Sequence, residues 1–162
     1  MKILILTLAL LGLCEQARAV DISEWQESSM KSAVRLSGLE HDGSYPSIVV
    51  TSDKAISELT GCTENCGEPQ AYYDAITRTI YFGSSIDTTP EIFARALMVH
   101  EYVHYLQYGG KQEVEYCQAV VWERDAREVQ IKFLQETGLQ VPMHVNMPWG
   151  AECHKELNAR LK

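Results

Sequence analysis

Thr89-Pro90-Glu91-Ile92-Phe93-Ala94-Arg95-Ala96-Leu97-Met98-Val99-His100-Glu101-Tyr102-Val103-His104, running on to Gly109-Gly110, is the stretch on which the fold turns. Thr89 offers a capping hydroxyl, Pro90 presets the first turn, and Glu91 faces the positive end of a helix dipole. A helix is therefore predicted from there to about Tyr108, stopped by the two glycines. Phe93, Ala96, Leu97, His100, Val103 and His104 share one face, so two imidazoles interrupt a stripe expected to be buried. Unpartnered polar groups in such a stripe are costly, and a metal ion would supply the partner.

Positions i and i+4 of a helix lie about 5–6 Å apart at Cβ. His100 and His104 can thus converge on one zinc, with Glu101 beside them to hold a water and accept its proton. A third protein ligand is then needed. The next helix, predicted from Glu113 to Thr137 and ended by Gly138, carries Glu113, Glu115, Glu123, Asp125 and Glu128. Glu123 shares its face with Tyr116, Ala119, Val120, Ala126 and Gln130, whereas Glu115 and Glu128 lie among charged and polar neighbours. A carboxylate in a core-facing stripe must be paired or metal-bound, so Glu123 is the expected ligand. A buried ion pair with Arg127 is the competing reading, and His144 and His154 are weaker substitutes. Ala119 and Ala126 would let the two helices approach closely.

Working outward, residues 21 to about 39 have helical composition with Gly38 as a stop. Ser47-Ile48-Val49-Val50-Thr51 follows Pro46 and reads as a buried strand. Ser52 or Asp53 caps a short helix ending near Gly61. Tyr72-Tyr73 and Thr79-Ile80-Tyr81-Phe82 flank the turn-prone segment Asp74 to Arg78, as in a hairpin. A short amphipathic helix is expected from about Ala151. The order gives an α+β fold: a small hairpin packed on the histidine-bearing helix and on the long glutamate-bearing helix, with a C-terminal helical tail. Tyr102, Tyr105 and Tyr108 read as core packing, His41 as solvated, and Trp149 as the cap of a core edge.

Lys2, the apolar run Ile3 to Leu13 and Ala17-Arg18-Ala19 form a signal-peptide pattern, so residues 1–19 are expected to be removed and 20–162 to form a single domain. The run is too short for a permanent span, which needs about 20 residues. A lipid anchor on Cys14 is disfavoured by Leu13. Removing Lys2, Arg18 and Glu15 moves the net charge of the 162-residue chain from -8 to -9. That balance, without a basic cluster, argues against nucleic acid as a partner. After signal cleavage no membrane association is expected, and the location is secreted or periplasmic. In that oxidising setting Cys62, Cys66, Cys117 and Cys153 read as two disulfides, Cys62–Cys66 and Cys117–Cys153 being favoured. A four-cysteine zinc site lacks the paired C-x-x-C spacing.

With these residues in place, the sequence resembles the gluzincin branch of the zincin metallopeptidases, in a minimal single-domain form. The resemblance rests on His100-Glu101-x-x-His104, on Glu123-x-x-Ala126 beginning 19 residues after His104, and on the hairpin Tyr72 to Phe82. It covers roughly residues 72 to 134. It implies that His100, His104 and Glu123 bind Zn²⁺, and that Glu101 is the general base for hydrolysis of a peptide bond in a peptide or protein substrate. Such enzymes also supply a residue that stabilises the oxyanion, for which Tyr105, Tyr116, His144 and His154 are the candidates. The strand Thr79 to Phe82 is expected to hold an extended substrate. The other function class open to this sequence is a disulfide-stabilised secreted zinc-binding module without peptidase activity.

Overall fold

The computed structural model describes residues 22–61, 70–142 and 153. Their arrangement is α+β. A 3-10 turn at Ile22–Trp25 leads into helix α1, Gln26–Ser37, followed by strand β1, Ser47–Thr51, and helix α2, Asp53–Leu59. Strands β2, Ala71–Asp74, and β3, Thr79–Gly83, then precede the two long helices α3, Glu91–Tyr108, and α4, Tyr116–Glu136. The expected signal segment, Cys62–Cys66, His144, Trp149, His154 and the helix predicted from Ala151 lie outside the described residues.

Helix α3 is the centre of the packing, with α1, α4 and β2 against it. Ala94, Ala96, Met98, Val99, His100, Glu101, Tyr102, Val103 and Tyr105 are all buried, so α3 is covered on several sides. The single stripe expected from the sequence is too narrow a description. Its first member, Phe93, is 43% exposed, although Ile92 and Ala94 on either side of it pack against the core. Met30 and Ala33 of α1 and Val129, Phe133 and Leu134 of α4 complete the core around it. A bidentate pair between Arg35 and Glu136 links the outer ends of α1 and α4 at the surface.

The ends of the elements follow local chemistry. Gly38 takes a left-handed φ of 71°, returns its N–H to Val34 O and ends α1. Ser52 accepts from Ala55 N and starts α2. Gly109 closes α3 with φ 51°. Thr89, however, is not the cap of α3. Its hydroxyl donates to Ser85 O, and Pro90 holds the cap position, with its carbonyl accepting from Phe93 and Ala94. Helix α4 begins at Tyr116 rather than Glu113, because the chain remains extended at Glu115 before turning helical.

The sheet order is β1-β3-β2, with β1 parallel and β2 antiparallel to β3. Asp74 accepts from Ile76 N and Thr77 Oγ1 to build the hairpin turn. This order corrects two expectations. The parallel partner places β3 in the middle, so Thr79 to Phe82 cannot take up a further strand, and the edge nearest α3 is β2. Strand β1 is the other edge, and Val49 and Val50 are exposed rather than buried. Cys117, in the first turn of α4, is disulfide-bonded to Cys153, as expected.

One close approach locks the end of β3 to α2. A Cβ on Gly83 would lie 2.0 Å from Asp53 Oδ1, the same oxygen that accepts from Ser85 N and Ser85 Oγ. Gly83→Ala should therefore destabilise the protein by about 1–3 kcal/mol in urea unfolding, since the carboxylate must leave Ser85. Adding Asp53→Ala removes the clash, so the double variant should be more stable than the sum of the two single effects. Strict additivity would show that the contact does not constrain Gly83.

Candidate metal centre

The i, i+4 spacing on α3 brings the imidazoles of His100 and His104 together, with ring centroids 4.7 Å apart. Glu123 reaches them from α4. His104 Nε2 lies 3.0 Å from His100 Nε2 and 3.1 Å from Glu123 Oε2, and His100 Nε2 lies 3.5 Å from the same oxygen. Ligands about 2.0–2.1 Å from a tetrahedral ion stand about 3.3–3.4 Å from one another. The triangle is therefore close to one face of a tetrahedral site. Two imidazole nitrogens and a carboxylate oxygen are also a donor set suited to a divalent transition metal. His100, His104 and Glu123 could together hold a metal ion, and they are the only such group among the described residues.

The carboxylate of Glu123 is divided between two tasks. Arg127 Nε donates to Oε1 at 2.6 Å, leaving Oε2 to face the histidines. The ion pair and a metal ligand, which the sequence offers as alternatives, can thus be accommodated on different oxygens. Burial disfavours the charge of Glu123, but hydrogen bonds from His100 and His104 prevail and hold its carboxyl far below the usual range. For His104, burial acts against protonation and the hydrogen bond to Glu123 acts for it, with a net upward shift. His104 Nδ1 lies 3.0 Å from Gln107 Oε1, while buried His100 Nδ1 has no hydrogen-bond partner among the described residues.

Glu101 is 5% exposed and lines the same cleft as the three donors. Burial raises its pKa most, while the nearby His100 and His104 oppose that shift. The backbone of Tyr73, on β2, favours the charged carboxylate of Glu101 more weakly, in the same direction as the histidines. The cleft has a volume of about 640 Å³. Gln70, Ala71 and Tyr72 from the β2 side, Leu97 and Tyr108 from α3, and Ala119 and Val120 from α4 help to line it.

The two oxyanion candidates within the described residues separate. Tyr116 lines the cleft, whereas the hydroxyl of Tyr105 turns away to Ser44 and Arg78. Tyr72 and Tyr108 line the cleft without having been singled out as site residues. For Tyr108 the signal was present: it stands four residues after His104, the same spacing that pairs His104 with His100. His41 is tied down rather than solvated, with Nε2 2.6 Å from Ser44 O.

Residues 18–157 match the family model described as a domain of unknown function, DUF6647. No curated protein and no solved structure matches the chain.

Protons and a metal ion compete for the same nitrogen of His104. Because its pKa is raised above about 6.5, apparent affinity for a divalent ion should keep rising as pH increases past that value. Glu123→Gln removes the partner that raises it. The midpoint of the pH dependence should then fall, with weaker binding at every pH. The metal-free protein should show the opposite trend in stability. Both Glu101 and His104 have raised values in the fold, so their contributions are full below the unfolded values and are lost as pH rises. Chelator competition and thermal melts from about pH 6 upward test both signs.

Proposed function

We propose that this chain, which belongs to the DUF6647 family, is an exported zinc-dependent peptidase. The observation that carries the reading is the placement of Glu101. A buried carboxylate faces the same cleft as a three-donor cluster, and it is not itself one of those donors. Structural zinc sites are normally closed by four protein ligands, whereas catalytic ones keep a position open. Three donors opening on a cleft favour the second arrangement. The gluzincin-like spacing of His100, Glu101, His104 and Glu123 points the same way.

In this reading His100 Nε2, His104 Nε2 and Glu123 Oε2 hold Zn²⁺. When bound, the ion supplies Lewis acidity, which polarises a carbonyl and lets a water lose its proton near neutral pH. Glu101 accepts that proton as the hydroxyl adds to the carbonyl carbon. It then delivers the proton to the departing nitrogen as the C–N bond breaks. The raised pKa of Glu101 suits a group that must both take and give a proton near neutrality.

Strand β2 takes the substrate-holding role expected of β3. The bond from Gly83 N to Gln70 O sets the phase of the antiparallel ladder. Peptide groups of Ala71 and Tyr73 therefore point away from β3, towards the cleft edge. An extended peptide laid along that edge is held by backbone hydrogen bonds, which favour peptides over other amides.

Export is supported by the signal pattern of residues 1–19 and by the Cys117–Cys153 disulfide. Among the described residues no helix is long and apolar enough to cross a membrane.

Zinc content and cleavage of a mixed peptide library should be measured for the wild type and Glu101→Gln. The variant should retain its zinc and lose about 10²–10⁴-fold in cleavage rate. Zinc retained by both proteins, with cleavage by neither, would instead identify a binding module. Its disulfide and its Arg127–Glu123 pair are equally suited to a rigid scaffold.

A further inference from the structure

Gln107 sits three residues after His104, one turn further along α3, and its amide has both ends in use. Nε2 donates to the backbone carbonyl of Trp122 at 3.1 Å, and Oε1 lies 3.0 Å from His104 Nδ1. The first contact fixes the second. A carbonyl oxygen can only accept, so the NH₂ end of the amide must face Trp122 and the oxygen must face His104. An amide oxygen also only accepts, so the imidazole nitrogen facing it must carry a proton. The backbone of α4 therefore dictates, through one side chain, that His104 holds its proton on Nδ1.

We infer that Gln107 is a positioning residue that keeps the proton of His104 on Nδ1 and reserves Nε2 for the ion. This deepens the zinc-peptidase reading and rests on it for the identity of the metal, but not for the state of the ring. The Nε2 of His104 faces Glu123 Oε2, 3.1 Å away, on the side of the ring opposite Gln107. An ion taken up there would meet Nε2, while the Nδ1–H of the ring goes on donating to Gln107 Oε1. Ring rotation is blocked as well, because turning the imidazole over would place its apolar carbon edge against the amide oxygen.

Gln107 also joins the two ligand-bearing helices next to the third ligand. Trp122 immediately precedes Glu123, so the carbonyl that orients the amide belongs to the peptide bond leading into the carboxylate ligand. The ring of Trp122 packs on Tyr108, with centroids 5.1 Å apart, so this part of α4 has little freedom to slide. His100 has no equivalent arrangement, since its buried Nδ1 lacks a partner among the described residues. His104 is the oriented imidazole of the pair.

The test uses Gln107→Met, similar in length but unable to bond either partner, and Gln107→Glu, which can still accept from Nδ1–H but cannot donate to Trp122 O. The full mature chain is labelled with ¹⁵N-histidine, and the ring proton on Nδ1 of His104 is followed with and without Zn²⁺. Wild type should show a slowly exchanging Nδ1 proton in both states. Gln107→Met should lose it to exchange with water and bind Zn²⁺ about 10–100-fold more weakly. Gln107→Glu should keep the proton signal and recover most of the affinity.

If the side chain merely bridged the helices, Gln107→Glu would be as weak as Gln107→Met, and that result overturns the inference. So does an unchanged Nδ1 signal in Gln107→Met. If Gln107→Met fails to fold, the presence or absence of the signal in Gln107→Glu decides alone. A wild type that takes up no zinc would end the peptidase reading. The signal in the metal-free proteins would still decide the role of Gln107.

Discussion

Three atoms that carry lone pairs or negative charge, two imidazole nitrogens and a carboxylate oxygen, are held within 3.5 Å of one another in a partly buried cleft. Side chains free to move would separate, because water solvates each better than they solvate one another. Their closeness is favoured by a ring proton shared between them or by a metal ion at their centre. Much of the surrounding architecture serves to hold this arrangement. Two donors are on α3 and one is on α4, so the triangle exists only while the register of those helices is fixed. Ala126, fully buried on α4, presents no bulk between them. Arg127 fixes one oxygen of Glu123, Gln107 fixes the outer nitrogen of His104, and the Cys117–Cys153 bond anchors the start of α4.

What could be read from the chain is what depends on local repetition. The pairing of His100 with His104 follows from the pitch of a helix, and the choice of Glu123 follows from counting its neighbours at the same pitch. Helix ends at Gly38 and Gly109 were legible because each takes a conformation that a residue with a side chain resists. Sheet order was not legible. The residues of β3 have no property that reveals whether a third strand lies beside them, and the parallel pairing with β1 decides that the edge belongs to β2. Thr89 was a plausible cap by composition, but the turn before it offered Ser85 O first. Gln107 could not be identified because its role depends on a carbonyl 15 residues away, on another helix.

The same distinction explains the tyrosines. Tyr102, Tyr105 and Tyr108 recur at an interval that suggests one face, and the expectation of core packing holds for buried Tyr102 and Tyr105 and, in part, for Tyr108, which packs on Tyr73 and Trp122. Each residue of a helix turns about 100°, so three-residue steps drift around the cylinder. Tyr108 remains close to the direction of His104 and lines the cleft, while Tyr105 is carried round to Ser44 and Arg78. A repeat of three and a repeat of four diverge by about 100° around the helix, enough to send one tyrosine to the cleft and another to Arg78 although Tyr73 packs on both.

Glu101 is the feature that the fold alone does not account for. A carboxylate in the middle of the most buried helix, near a second carboxylate, is unfavourable wherever it has no chemical use, and its raised pKa records that penalty. An apolar residue at this position would pack the same helix with no charge to desolvate. His100, His104 and Glu123 can be understood as a set that a metal ion makes self-consistent, because each gives the ion an atom. Glu101 gives it none. It lines the cleft together with Ala71, Tyr72 and Tyr73 of β2. A buried acid kept beside a triangle of possible ligands, without belonging to it, is what the proposed proton transfer would call for.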